Sequence, residues 1–529
     1  MSPSADRIRA LAFLLTCALE VVPTAEHLNA QGTLPASPML DQTATTVSSL
    51  PPSNSVSHIA TENTEVWIGT SKGLARSVNA GRSWESFRGL PQFANPGIFA
   101  IALKGTDTIW ASTGFTQDLD GQSVQTGSGY TYSIDNGVNW IHRGQTLDGN
   151  ADTAVTYGIN TVRFLPVTVE EQNVTFDIAL SDSFVWIASW SSGLRRSSDL
   201  GQTWQRTVLP TDTRNSVKPA DTLTNYFVDP RLHNNFLVFS VYVEDDSTIW
   251  AGSAGGINKS TDGGISWVKF NTDNQLSPIL GNWVIAIAGQ QFPTFRRIWT
   301  TNWRAEGASE QFGVSYSDDG GRIWKNFLHG IRAYAFAFKH SSASSSARVA
   351  YVATTEGIYR TDDGGLSWTR SGTIIDKVTG QRITTTSFFS VGVIGDTVFA
   401  GSGGGLVKTI DNDTHPFGET WEVIRTYQPV GNTSTTYAYP NPFSPDDEIV
   451  RFHYSTGGMQ ATVTIEVFDF GMNRVRTVVK DAQRSGTVEY DEIWNGRDDK
   501  DNQVSNGVYF YRVTLNDGEP AWGKVMVLQ

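Results

Sequence analysis

The sequence predicts an all-β chain, a seven-bladed β-propeller followed by a small β-sandwich, and three observations carry that prediction. Aromatic residues make up 11% of the 529 residues, and 50 are glycine against a single cysteine, a composition of short strands and tight turns. An eight-residue phrase recurs seven times between Ser55 and Arg425. Short alternating strands fill the rest of the chain after the repeat stops.

Taken in order, Arg7 and Arg9 precede the apolar run from Ala10 to Leu19, and small residues follow near Ala25 and Ala30. Residues 1–30 therefore read as a secretory signal peptide. The run is well short of the roughly 20 residues that span a bilayer, so no integral membrane segment is expected. Thr16 before Cys17 is a poor fit for lipid attachment, and once the signal is removed no cysteine remains for a disulfide. Residues 31–54, rich in Ser, Thr and Pro, read as a linker. The net charge of −13 supplies no broad positive field, which excludes nucleic acid as the expected partner.

Residues 55–428 hold the repeats. Each copy begins with a β-rich run, at Val66, Ile109, Val185, Ile249, Ile298, Tyr351 and Val398, and a Gly-apolar pair such as Gly73-Leu74 then starts a second strand. The phrase that follows is Ser77/Asn79/Gly81/Trp84, Ser133/Asp135/Gly137/Trp140, Ser197/Asp199/Gly201/Trp204, Ser260/Asp262/Gly264/Trp267, Ser317/Asp319/Gly321/Trp324, Thr361/Asp363/Gly365/Trp368 and, stretched, Thr409/Asp411/Gly418/Trp421. The Asp or Asn side chain accepts from nearby amides, Gly supplies positive φ, and Trp buries its ring against the adjacent hairpin. About 56 residues per copy suffice for four short strands. Ile98 to Leu103, Trp283 to Ile287, Ala333 to Phe338 and Ser387 to Val391 are apolar on both faces, as innermost strands are. One such sheet cannot bury both faces, whereas seven in a ring can.

These phrases resemble the Asp box, or BNR repeat, of sialidases, sortilin-type receptors, xyloglucanases and a photosystem assembly factor, over roughly 370 residues. The resemblance implies that the boxes are structural and lie on the blade periphery, so it speaks for fold more than for activity.

After a linker at 429–436, residues 437–529 start with Tyr439-Pro-Asn-Pro-Phe443. They continue with strands at Ala461 to Phe468, Val475 to Val478 and Gly507 to Val513, and end at Gly523 to Gln529. Trp494-Asn-Gly-Arg-Asp-Asp499 lies between. In that order these segments resemble the FlgD-type immunoglobulin-like module that serves as the C-terminal sorting domain of the type IX (Por) secretion system. The resemblance implies an Ig-like sandwich, the type IX machinery as a partner, and passage through the periplasm to the outer surface or the medium. Asp498, Asp499, Asp501 and Asn502 lack EF-hand spacing and read as a hairpin turn.

Chemistry is sparse. Ser71 in Gly69-Thr-Ser71-Lys-Gly73 matches a nucleophile elbow in spelling, but it links two strands. Gly401 to Gly405 has glycines without the helix a phosphate loop needs. The eight His are scattered, so neither metal nor cofactor is expected. Function in such a ring belongs to unequal loops at one mouth: Gly114 to Ser128 with Asp118 and Asp120, Trp303 to Gln311 with Arg304, Glu306 and Glu310, the turn at Trp190, and the long connections Leu147 to Asn160 and Pro210 to Tyr226. Trp190, Trp303 and Arg304 are the candidate ligand contacts, since aromatics beside charged groups stack on and hydrogen-bond to sugars. A glycosidase would need two flanking carboxylates, for which Asp118, Asp120, Glu306 and Glu310 are available. The resemblance argues against it: xyloglucanases set their acids between two propellers and here there is one, and the Arg-Ile-Pro segment of six-bladed sialidases is absent. The expectation is a monomer that binds a protein or glycan without turning it over, with a glycoside hydrolase or an extracytoplasmic assembly factor as alternatives.

Overall fold

The computed structural model describes residues 46–95, 97–119, 122–305, 307–339, 348–383, 385–426, 436–446, 449–456, 460–484, 489–516 and 518–528. The expected signal peptide lies outside the described residues, as do 31–45 and 429–435 of the expected linkers and the candidates Asp120 and Glu306. The chain divides into two compact units between Arg425 and Thr426.

The first unit contains seven four-stranded antiparallel meanders. Their innermost strands are Val56–Glu62, Gly97–Lys104, Thr175–Leu180, Val238–Val243, Trp283–Gln291, Ala333–Phe338 and Phe388–Ile394. Each innermost strand lies against the ones before and after it, and the first lies against the seventh, so the sheets form a closed seven-bladed propeller. Two outer edges carry a fifth strand: Thr46–Ser48 pairs with the outer strand of blade 1 and Ser216–Val217 with that of blade 4. Residues 46–48, read from sequence as linker, are thus part of the first blade, where they cover unpaired backbone groups of a short outer strand.

Six of the seven phrases fold the same way. In blade 3, Ser197 Oγ donates to Asp199 Oδ1 (2.7 Å) and accepts from Gly201 N (2.9 Å), and Asp199 Oδ1 accepts from Thr203 N (2.9 Å). Hydrogen bonds from the Thr203 hydroxyl and amide hold the Asp199 carboxyl down at about 2. The glycine is left-handed at φ +74, and so is Leu200 before it at φ 56. In blade 1 the neutral Asn79 takes the place of the carboxylate. Its Oδ1 accepts from Ser77 Oγ (3.0 Å), Arg82 N (3.1 Å) and Ser83 N (2.9 Å), and its Nδ2 donates to Ser83 Oγ (2.8 Å), so the turn needs an acceptor and no charge.

Blade 7 departs from the pattern. There Thr409 Oγ1 donates to Thr420 O (2.7 Å), and the buried Asp411 carboxylate is taken by Tyr351 Oη and by Arg360 Nε (2.5 Å) of blade 6. Asp411 is therefore no box acceptor, because the inserted residues carry it away from the amides it would have capped. Gly418 keeps a left-handed φ of +78 but faces its own Trp421, which is buried and packs on Phe417 of the insertion at 5.8 Å.

In the regular blades the box glycine faces the previous blade. A Cβ on Gly264 would run into the Trp186 ring, one on Gly365 would meet the Trp299 ring at 2.8 Å, and one on Gly321 the Phe270 ring at 2.9 Å. On Gly137 it would meet Phe87 and Trp67, both at 3.3 Å, and on Gly81 of blade 1 the Phe399 ring of blade 7 at 3.1 Å. The glycine thus has a second role beyond its positive φ: it leaves room for an aromatic ring across the seam. The second-strand aromatics Trp67, Trp110, Trp186 and Trp299 are fully buried and fill these gaps.

The hairpin that each box tryptophan covers also belongs to the previous blade. Trp140 packs 5.1 Å from Phe87 and 6.2 Å from Trp67 of blade 1, Trp324 lies 6.5 Å from Trp250 of blade 4, and Trp368 lies 5.9 Å from Trp299 of blade 5. Trp84 clusters with Phe399 of blade 7 and Trp421 with Tyr351 of blade 6. Their burial is unequal: Trp84 and Trp267 are fully buried, whereas Trp204 and Trp368 are only half-buried. Trp267 and Trp324 each donate Nε1 to their own box glycine carbonyl at 3.1 Å, which closes the turn on itself.

Cations clamp the same seams. Arg76 lies 5.2 Å over Trp67 and donates to Asn136 O (2.8 Å), and Lys259 lies 4.6 Å over Trp250 and donates to Gly320 O (3.3 Å). Lys408 of blade 7 donates to Ala80 O (3.3 Å) of blade 1 across the closure.

The second unit is a two-sheet sandwich. Thr436–Tyr439, Val450–Ser455 and Glu489–Trp494 face Arg474–Arg484, Ala461–Phe468, Gly507–Leu515 and Ala521–Val527. Alternate residues Val463, Ile465 and Val467 are fully buried against Phe452, Trp494 and Tyr511. Asp498 Oδ1 accepts from Lys500 N and Asn502 N, both at 2.8 Å, as a turn-capping carboxylate does.

Candidate functional site at the loop face

In a four-stranded meander the boxes, between third and fourth strands, lie at the end opposite the turns between second and third strands. The latter share their end with the connections between blades, and this loop face carries the irregular residues. Near its loop-face end each innermost strand holds one extra residue with no cross-strand partner: Ser57, Phe99, Phe176, Phe239, Ile285, Tyr334 and Phe389. The extra residue re-aims a side chain at the same level in every blade. The rings then touch from blade to blade, Phe99 to Phe176 at 6.5 Å, Phe176 to Phe239 at 6.1 Å, Phe239 to Trp283 at 5.9 Å and Tyr334 to Phe389 at 5.6 Å between centroids. An aromatic collar results.

The sequence candidates sort themselves against this collar. Trp190 is half-buried and packs on Phe239 at 5.2 Å. Trp303 is buried, with its ring 5.5 Å from Tyr334 and its Nε1 donating to Ala333 O (2.9 Å), so it supports the collar from beneath instead of offering a free face. Arg304, beside it, is exposed. Glu310 is buried and wholly committed: its carboxylate accepts from Asn282 N (3.1 Å), Asn282 Nδ2 (2.9 Å), Ala305 N (2.7 Å) and Gly307 N (3.2 Å). It folds the loop that presents Arg304 and has no lone pair left over for a proton shuttle. Asp118 lies in a strand paired with Ser123.

The long segments are more ordered than loops. Gly114 to Ser128 continues the hairpin of blade 2, paired out to Leu119 and Gln122, because its Thr, Val and Gln residues suit an extended ladder. The connection from Leu147 and that from Pro210 contribute to a three-stranded sheet, Ala154–Tyr157, Asn160–Phe164 and Phe227–Val228, packed on blades 3 and 4. Beneath it Asp148 pairs with Arg195 (2.7 Å) and Arg206 (2.5 Å). Burial pushes the Asp148 carboxyl up, but the two guanidiniums outweigh it and hold the group below the usual carboxylate range.

Sequence reading missed three groups here. Arg332, immediately before the innermost strand of blade 6, stacks on Phe312 at 4.6 Å and Trp303 at 5.6 Å. Next inward from the collar, Asp177 accepts from Val241 N (2.9 Å) of the neighbouring blade, and burial pushes its carboxyl up to about 7. His58 occupies the matching register position in blade 1, where burial brings it down to about 4. Aligning the seven innermost strands would have revealed the recurrent ring, since Phe99, Phe176, Phe239, Tyr334 and Phe389 share one position. Ser71 sits in a hairpin turn with its Oγ 2.8 Å from Ser53 Oγ. Among the described residues no three His, Cys, Asp or Glu cluster as metal ligands.

Fold and loop face together define a β-propeller protein with an Ig-like C-terminal domain. The family described as FlgD Ig-like domain matches residues 446–519. No curated protein matches the chain. Among solved structures, a GH74 enzyme of Niastella koreensis is similar over 91% of this chain and 74% of its own, at 14% identity and a TM-score of 0.50. PorZ of Porphyromonas gingivalis, described as an essential bacterial surface component of the type-IX secretion system, is similar over 90% of this chain and 66% of its own, at 15% identity and a TM-score of 0.37. YCF48 of Cyanidioschyzon merolae is similar over 69% of this chain and 99% of its own, at 16% identity and a TM-score of 0.42. At such identities the likeness concerns fold. The chain spans just under two thirds of PorZ.

Proposed function

We propose that this is a secreted or cell-surface Asp-box propeller, exported by a type IX-like route, that holds a protein or glycan ligand non-catalytically at its loop face. The observation that carries the reading is the aromatic collar, whose rings at Phe176, Tyr334 and Phe389 are half-buried, an apolar surface of the kind that buries one face of a ligand. The commitment of Glu310 to four protein donors supports binding over hydrolysis, because a retaining or inverting glycosidase needs two available carboxylates. The FlgD-like match supports the sorting role of the last domain, and the apolar run after Arg9 supports entry to the periplasm.

Two measurements test this. Purified chain incubated with polysaccharides and with extracts of the producing culture should retain a ligand and release no reducing ends; turnover on any substrate would favour the hydrolase. Deletion of 437–529 should trap the protein in the periplasm, and normal export of the truncated form would refute the sorting assignment.

A further inference from the structure

The guanidinium of Arg332 lies half-buried between Phe312 and Trp303 and forms no ion pair or hydrogen bond among the described residues. Arg304, on the next loop segment, is exposed and likewise forms none among them. In a chain of net charge −13, whose Arg195, Arg206 and Arg297 pair with Asp148 or Asp318, the Arg332 and Arg304 guanidiniums have no carboxylate partner among the described residues and make a positive site beside the collar. Stacking leaves the edge of a guanidinium free to take a carboxylate through two parallel bonds.

The main chain around this site is already satisfied. Ala305 N and Gly307 N donate to Glu310, Gly330 N to Phe312 O, Thr355 N to Arg332 O, and Trp190 N to Val174 O. Such a surface has few amides to read a peptide backbone. It offers the half-buried ring of Phe389, which packs on Tyr334 at 5.6 Å, near unpaired cations, and that combination fits a sugar whose apolar face stacks while its carboxylate pairs.

We propose that the mouth over blades 5 to 7 binds an acidic, uronate-bearing glycan, with Arg332 holding the carboxylate, Arg304 adding charge, and Phe389 stacking on the ring. This rests on the binding reading above and names its ligand class. The test is equilibrium binding of the full chain to polygalacturonate, alginate and hyaluronan, alongside methyl-esterified polygalacturonate and acidic peptides. We expect a polyuronate to bind, the ester to lose affinity, and Arg332→Gln to weaken binding at least tenfold with an unchanged melting temperature. Arg332→Lys, which keeps charge but not the planar fork, should restore part of it, and Phe389→Ala should weaken binding independently. Unchanged affinity in Arg332→Gln, equal binding of the ester, or no binding of any polyuronate overturns the assignment. So does Arg332-dependent binding of acidic peptides alone, which would place a peptide carboxylate there. New reducing ends with affinity intact would instead overturn the non-catalytic reading and leave Arg332 where it is placed.

Discussion

The two faces of the ring use their polar side chains differently. On the box face nearly every hydroxyl and carboxylate of the repeated phrase is consumed inside its own turn, as Ser260, Asp262 and Gly264 show at 2.8 Å from Ser260 Oγ to each partner. On the loop face Glu310 is consumed in the same way, but Arg304 and Arg332 are not, and rings gather beside them. A self-satisfied face stabilises without recognising anything; a face with uncompensated groups recognises at some cost to stability. Substitutions on the two faces should therefore separate melting temperature from ligand affinity.

The largest stability effect is expected at a seam. Trp186 is fully buried between blades 3 and 4, so Trp186→Ala should cost about 3–5 kcal/mol in chemical unfolding. Trp267→Ala removes the box ring that shares this cluster and is also buried, so it should fall in the same range, about 3–5 kcal/mol. The half-buried Trp204 occupies the place equivalent to Trp267 one seam earlier and should cost clearly less; equal losses at 267 and 204 would show that burial does not set the cost. Gly264→Ala comes next: a left-handed φ of +82 and a Cβ overlapping the Trp186 ring add strain to overlap, about 2–4 kcal/mol together. Ser260→Ala should cost about 1 kcal/mol, one net hydrogen bond's worth, since the Gly264 amide loses its acceptor.

The innermost strands give a pH test. Asp177 is raised to about 7, so its protonated form is the one the fold favours: stability is full below the ordinary carboxylate range and falls as pH climbs toward 7. His58, lowered to about 4, acts oppositely, and its neutral form is lost to the fold as pH drops from its ordinary range toward 4. Asp177→Asn removes this titration, so its melting temperature relative to the parent should rise as pH climbs from 4 to 7 and level off above, whatever constant offset follows from replacing one of the two oxygens that accept from Ile178 N and Val241 N. A gain that grew instead as pH fell would reverse the assignment.

How much of this was legible in the chain follows from what repeats. Ser77 to Trp84 and its copies announce blades because the turn demands the same residue types each time, and the strand count follows from their spacing. The tryptophans of both kinds were visible as aromatic residues of a hairpin, yet their meeting between blades was not. It depends on residues more than seventy positions apart, as Gly264 is to Trp186 and Trp140 to Trp67. The seventh phrase misled: with Thr409 and Asp411 spelled correctly, the insertion before Gly418 redirects Asp411 to Tyr351 and Arg360 and sets Trp421 against Phe417. At the mouth Arg332 was not legible, because it becomes distinctive only through two rings from another segment. Likewise Glu310 spelled out a catalytic carboxylate and folded into a loop staple.

The smallest stability effect should accompany a change in recognition. Arg304 is exposed, so Arg304→Gln removes no packing and should stay within the roughly 0.5 kcal/mol of an ordinary surface change. If it supplies charge to the mouth, the same variant should weaken ligand binding and flatten its dependence on salt, because one fewer cation then faces the ligand. Ser260→Ala, on the opposite face, should do the reverse, lowering the melting temperature while leaving affinity untouched. Titrating both variants at low and high ionic strength checks the pair directly, and a loss of affinity in Ser260→Ala equal to that in Arg304→Gln would show that the faces are coupled and that recognition depends on the ring as a whole.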